Sequence, residues 1–145
     1  MSDESNCIFC KIINGEIPSA KVYEDEDVYA FLDLSQVTKG HTLIIPKVHQ
    51  KDIFNLSPDV AAELFRRVPL IAAAINRAFH PIGLNLLNNN GTLAGQSIFH
   101  YHIHLIPRYG KTDTFTFGFQ SHAEDYTNEQ RSAIAATIAE NIREA

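Results

Sequence analysis

Nowhere does the sequence hold an apolar run approaching the roughly 20 residues of a membrane-spanning helix. It also lacks any cluster of Lys and Arg, and its net charge is −5. Both facts argue against a protein that tracks a nucleic-acid backbone. Internal repeats and low-complexity segments are absent. The start, Met1-Ser2-Asp3-Glu4-Ser5, is acidic and polar, the wrong chemistry for a secretion signal, so the expected compartment is the cytoplasm. Cysteine is scarce: Cys7 and Cys10 only. In a reducing compartment such a pair reads as metal ligands, redox thiols or inert residues rather than a structural disulfide.

What is present is an ordinary globular composition, 45% apolar and 20% charged over 145 residues. That length is expected to form a single domain, 1–145, with a core over about 5–110 and a C-terminal loop and helix over 111–145. The negative balance still allows a small phosphorylated substrate, because backbone amides and a few side chains hold one nucleotide whatever the overall charge.

Cys7 to Ile13 reads as a short apolar turn or helix closed by Asn14-Gly15. Lys21 to Glu24 and Val28 to Asp33 read as strands around an acidic turn, a hairpin. Thr42 to Ile45, nearly all apolar and stopped by Pro46, has the character of a central strand. Ser57-Pro58 signals a helix start. Val60, Leu64, Val68, Ile71, Ile75 and Phe79 then form one apolar stripe, with Pro69 expected to kink the helix and Gly83 to end it. A strand over Leu84 to Asn88 leads into the loop 89–95, and another runs from about Ser97 to Pro107. After an irregular stretch whose Phe115, Phe117 and Phe119 could cover something, Thr127 and Gln130 form a capping box. The helix they open carries Ile134, Ile138 and Ile142 as an apolar face. The expected class is α+β on a mostly antiparallel sheet.

His100-Tyr101-His102-Ile103-His104 alternates strictly. In an extended chain the three histidines share one face, spaced roughly 6.5–7 Å apart, and Phe99, Tyr101, Ile103 and Leu105 take the other. A solvated polar face would give the same pattern, as would part of a three-histidine zinc site. A first-to-third span of about 13 Å is too long for one ion to hold all three.

These residues resemble the signature of the histidine-triad (HIT) family. The run Gln96-Ser97-Ile98-Phe99-His100-Tyr101-His102-Ile103-His104-Leu105-Ile106 is matched in order by Cys7 to Ile13, Ala30-Phe31-Leu32-Asp33, Gly40 to Lys47 with His49, and Leu87-Asn88-Asn89-Asn90-Gly91. The chain is most similar to the zinc-containing bacterial members of the Hint-like branch. The resemblance implies a five-stranded antiparallel sheet with one long helix and a C-terminal helix, the sheet extended across a homodimer. It also implies a nucleotide hydrolase or transferase, acting at the α-phosphate of purine nucleotide derivatives through a nucleotidyl-histidine intermediate.

By that resemblance His102 is the nucleophile and His104 contacts the phosphate or leaving group. Gln96 and Ser97 assist, and Asp33 accepts from the ribose hydroxyls. Independently of the family, Asn89, Gly91, Gly95, Gln96 and Ser97 suit a phosphate, since glycines admit close backbone N–H groups and the side chains donate. Phe31 and Ile44 are candidates to sandwich a base. The resemblance further implies that His49 and His100 complete a structural zinc site with Cys7 and Cys10. His41, His80 and His122 receive no role. Arg108 is weakly placed to reach additional phosphates. Two rivals stay open: a nucleotide-binding scaffold with little turnover, and a zinc metallohydrolase.

Overall fold

A computed structural model describes residues 4–116 and 118–143. Phe117, one of the three expected covering aromatics, and the first three residues of the polar start lie outside the described residues. The chain divides into two compact units, Met1–Phe115 and Thr116–Ala145.

The first unit is built on one five-stranded antiparallel sheet in the order β1-β2-β3-β5-β4. The strands are β1 (Lys21–Glu24), β2 (Val28–Leu32), β3 (Thr42–Pro46), β4 (Gly83–Leu87) and β5 (Ile103–Arg108). The expected hairpin and central strand are both present, and the fold is α+β as the sequence implies. Helix α1 (Ile8–Ile13) begins where the Cys7 sulfur accepts the Cys10 N–H, and ends at Asn14. Helix α2 (Pro58–Phe79) begins at Ser57, whose hydroxyl accepts the Val60 N–H. It runs unbroken through Pro69.

Its end differs from expectation. Gly83 already belongs to β4; the helix is closed by His80, in the left-handed conformation at φ 51°, whose N–H donates to the Asn76 carbonyl. That conformation is uncommon for a residue with a Cβ, which is why a glycine is the natural candidate from sequence.

Alternation along the strands sorts the core into two layers. Val28, Ala30, Ile44, Tyr101, Ile103 and Leu105 pack with Leu64, Val68, Ile71 and Ile75 of α2. Tyr29, Phe31, Leu43 and Ile45 pack with Phe9 and Ile12 of α1 and with Cys7. Burying each large aliphatic side chain contributes about 1.5–3 kcal/mol, so both layers are fixed by the same pattern that aims the intervening residues.

In the second unit, helix α3 (Asn128–Glu140) opens on the expected capping box. The Thr127 hydroxyl accepts the Gln130 N–H, and the Gln130 side chain accepts the Thr127 N–H. Every residue of α3 is exposed, and Ile142 lies beyond its end. The apolar face expected from Ile134, Ile138 and Ile142 is therefore not a buried one. Among the described residues no helix is long and apolar enough to cross a membrane.

Candidate functional site

The β3–β5 ladder places Leu43 opposite His104 and Ile44 opposite Ile103, and the β4–β5 ladder places Leu87 opposite His104. Residues directly opposite in such ladders point to the same side. His104 therefore stands between Leu43 and Leu87, on the face away from α2. The ladder stops at Ile103, so only His104 of the three histidines lies within β5; His102 precedes it outside the ladder, and His100 lies in a bend. The row nevertheless survives. The His102 and His104 rings lie 5.0 Å apart, and Phe9 meets both His100 and His102 edge-on, at 5.9 and 5.2 Å.

A cavity of about 200 Å³ opens at this row, lined by Asp33, Asn89, Gly95, Ser97, His102 and His104, with apolar walls that include Phe9, Leu43, Ile98 and Phe115. At its centre His102 is bonded from two directions. Its Nδ1–H donates to the carbonyl oxygen of His100 at 2.7 Å, and its own carbonyl accepts from the Asn88 side chain at 2.9 Å. A carbonyl can only accept, so the proton sits on Nδ1 and Nε2 carries a lone pair. Burial holds the pKa of His102 below its ordinary value, with the His100 carbonyl and Asp33 opposing.

His104 is oriented by a chain that begins at the backbone. The Val37 N–H donates to His41 Nδ1 at 3.3 Å, which leaves the proton on His41 Nε2. Nε2 is 2.9 Å from His104 Nδ1 and 3.7 Å from Asp33 Oδ2. His104 accepts at Nδ1, so its own proton is on Nε2. The two rings thus hold opposite tautomers: His102 presents a lone pair, His104 a donor. Burial is the largest cause keeping His104 neutral, followed by His102 and His41, and its pKa falls to about 4. His41, buried itself and held low by the same desolvation, is the residue that sequence reasoning missed. The signal was present as Gly40-His41-Thr42, but nothing in the spacing alone says that residue 41 meets residue 104.

Asp33, His41 and His104 have ligand atoms close enough to suggest a metal site. The hydrogen bonding argues against one, because His41 Nε2 carries a proton as long as Nδ1 accepts from Val37. A second group, Cys7, Cys10, His49 and His100, passes the same test. His100 Nε2–H donates to the Pro46 carbonyl at 2.8 Å, so Nδ1 is free to ligate. That Nδ1 lies 3.4 and 3.6 Å from the Cys7 and Cys10 sulfurs, and His49 Nδ1 lies 3.3 Å from Cys10. Tetrahedral zinc bonds to sulfur and nitrogen imply a ligand separation of about 3.5 Å. The remaining nitrogen of His49, Nε2, is buried without a partner among the described residues. All four residues named from sequence are brought together, and His102 is not among them.

Three expectations change. Gln96 was expected beside the phosphate, but it is buried and fully engaged: its oxygen accepts from Gly91 N–H, and its amide donates to the carbonyls of Lys51 and Ile98. It braces the loop rather than facing the cavity. Phe31 and Ile44 do not sandwich a base: neighbouring registers put them on opposite faces, Ile44 against α2 and Phe31 buried against Phe9, and neither lines the cavity. Leu43 is the residue on the cavity side. Arg108 is committed to Asp113, Asn85 and the Phe115 carbonyl, leaving it no reach toward extra phosphates. Asp33, Asn89, Gly95 and Ser97 line the cavity as expected. Asp33 spends Oδ1 on the Ser35 N–H and keeps Oδ2 toward His41. Gly95 needs its φ of +95°, and a Cβ there would press the Asn89 side chain at 3.3 Å.

The model of the HIT domain matches residues 14–111, about two thirds of the chain. The chain belongs to the HIT family. Protein hit of Bacillus subtilis is 59% identical over 137 residues, 94% of each chain. The crystal structure of a HIT family protein from Bacillus anthracis superposes with a TM-score of 0.93 at 60% identity, over 95% of this chain and 98% of that one. An adenylylsulfatase of Arabidopsis thaliana is 49% identical over 72% of this HIT chain, which spans 53% of that protein's length. An adenosine 5'-monophosphoramidase of Candida albicans is 36% identical over 87% of this chain and 86% of its own. A zinc-bound histidine triad protein of Mycobacterium smegmatis aligns with a TM-score of 0.72 at 33% identity, covering 96% and 100%.

Proposed function

We propose that this HIT protein is a nucleotide hydrolase or transferase that acts at the α-phosphate of purine nucleotide derivatives, phosphoramidates or dinucleoside polyphosphates, through a nucleotidyl-His102 intermediate. One observation carries the reading: the Nδ1–H of His102 is committed to the His100 carbonyl, so an uncharged Nε2 lone pair is left on the wall of a cavity lined by phosphate-compatible groups. The relatives acting on adenylyl sulfate and adenosine phosphoramidate share the chemistry of an adenylyl group bonded to a leaving group.

In the first step His102 Nε2 forms a bond to phosphorus and the bond from phosphorus to the leaving group breaks, its electron pair departing with the leaving atom. His104, protonated at Nε2, donates to that atom or to a phosphate oxygen as charge develops. Ser97 and Asn89 face the phosphate, the backbone N–H groups of Gly91, Ala94, Gly95 and Gln96 being taken up within the loop, and Asp33 Oδ2 accepts from the ribose. Water or another acceptor then attacks phosphorus and gives its proton to His104 Nε2, replacing the one passed to the leaving group, while the phosphorus–nitrogen bond breaks with its electron pair returning to His102 as the neutral imidazole from which it started.

Zinc is the metal that the two thiols and two imidazoles of the tetrad fit, and its part is structural: it ties α1 to the chain before β5. A reducing compartment, the cytoplasm, belongs to the same reading because the ligands must stay thiols. So does a homodimer, supported by β4 as a sheet edge with Leu86 half exposed and by the exposed Phe65 and Leu70 of α2.

The test is a rapid quench with an adenosine phosphoramidate and with a diadenosine polyphosphate, followed by mass spectrometry. An adenylyl adduct on His102, with turnover lost in His102→Ala while metal content and circular dichroism persist, is the expected result. Turnover without an adduct favours a metallohydrolase, and no turnover at all favours a scaffold; either outcome sinks the reading.

A further inference from the structure

Sheet pairing does not reach the nucleophile. The β3–β5 ladder ends at the Ile44–Ile103 pair, and His102 is the first residue past it. The segment before β5 is held to the end of β3 and the chain after it by the Tyr101 N–H on the Gln50 carbonyl at 2.7 Å, by His100 Nε2–H on the Pro46 carbonyl, and further back by the Gln96 amide on the Lys51 carbonyl. The metal-ligand candidates sit immediately beside the first of these: His49 precedes Gln50, and His100 precedes Tyr101. Their Nδ1 atoms converge with the sulfurs of Cys7 and Cys10. His100 in turn supplies the carbonyl that selects the tautomer of His102.

Resting on the hydrolase/transferase reading above, we infer that the Cys7–Cys10–His49–His100 tetrad is a positioning device for the nucleophile and not only a staple for the N-terminal helix. With a divalent ion bound, the imidazole of His100 is fixed from both of its nitrogens, by the ion at Nδ1 and by Pro46 at Nε2. Its backbone carbonyl is then fixed as well, and the acceptor that keeps the proton on His102 Nδ1 cannot drift. Without the ion, the ring keeps Pro46 at Nε2 and only weak thiol contacts at Nδ1, and beside His102, where the ladder has already ended, the two chain segments rely on the Tyr101–Gln50 backbone bond. Cys7, Cys10, His49 and His100 touch neither substrate nor reacting atoms; they act through one carbonyl oxygen. Metal binding and turnover are thereby linked through His102, with the metal outside the reaction.

The experiment compares metal-loaded wild type, wild type stripped with a chelator, His49→Ala and His49→Cys. Imidazole nitrogen NMR of His102 and hydrogen exchange of the Tyr101 amide are read alongside kcat and KM. In the loaded protein His102 should show a single Nδ1–H form and a protected Tyr101 amide. Stripping the metal, or His49→Ala, should give a mixture of tautomers, faster Tyr101 exchange, and a kcat lower by about 10- to 100-fold, with KM changed far less. His49→Cys, which keeps four ligands, should restore all three. An unchanged His102 spectrum and Tyr101 protection after metal loss would overturn the inference. So would loss of the α2 helical signal together with the metal, because the ion would then hold the whole fold and not this segment. If wild type fails to turn over substrate, the enzymatic reading falls, while both NMR observables remain readable.

Discussion

His41 Nε2 and His104 Nδ1 lie 2.9 Å apart, with the proton on His41 because the Val37 N–H occupies its other nitrogen. Sixty-three positions separate these residues in sequence, yet one sets the protonation of the other. Replacing His41 by Ala removes the donor and frees His104 to take either tautomer. The expected loss is about 10- to 100-fold in kcat with little change in KM. His41→Gln, which retains an N–H donor, should recover part of it. Imidazole nitrogen shifts of His104 measured in both variants separate this effect from simple unfolding.

Acid should weaken the fold through these same rings. His102, His104 and His41 all have pKa values held below the ordinary 6.5, His104 at about 4, with burial the first cause in each. Between pH 6.5 and about 4 the unfolded chain binds protons that the native state refuses. Stability is thus full above the unfolded value and is lost as pH falls through the folded ones. Chemical denaturation midpoints measured across that window should drop steadily toward acid. The rate of the first chemical step should begin to fall with acid only at a pH below that of a free imidazole, because burial holds the His102 pKa under its ordinary value.

Asp33 offers one carboxylate oxygen to a ligand, the other being held by Ser35. Asp33→Asn should raise KM for a ribonucleotide substrate about tenfold, the value of a hydrogen bond to a charged acceptor. The wild type should discriminate against the 2'-deoxy substrate and the variant should not. Steady-state kinetics on the matched pair is the check.

Gln96 is the opposite case, a polar residue whose worth lies in stability. Gln96→Leu would leave the Gly91 N–H and the carbonyls of Lys51 and Ile98 without their partner. A loss of about 3 kcal/mol follows from groups costing about 1–3 kcal/mol each, partly relieved by water. Thermal denaturation should show a lower Tm, and phosphate affinity should fall because the loop loses its brace.

Local patterns were readable in the residues: the Ser57-Pro58 helix start, the Thr127–Gln130 box, the hairpin and the alternation from Tyr101 to Leu105. Each depends on neighbours within a few positions. What escaped depends on register or on committed bonding. Ile44 looked like a base wall until pairing with Ala30 turned it toward α2. Arg108 looked free until Asp113 and Asn85 claimed it, and Gln96 looked catalytic until its three bonds were placed. His80 ended a helix in a geometry that composition assigns to glycine. The family resemblance supplied His49 and His100 as ligands, and the geometry brings both to Cys7 and Cys10; it supplied nothing for His41.

Tyr101, Ile103 and Leu105 fill the layer under α2 while His102 and His104 face the cavity between them. Gain or loss of a single residue in this stretch would send imidazoles into oil and aliphatic groups into the pocket at one stroke. Length changes here can be survived only in pairs, so this short stretch should drift by substitution and almost never by insertion or deletion.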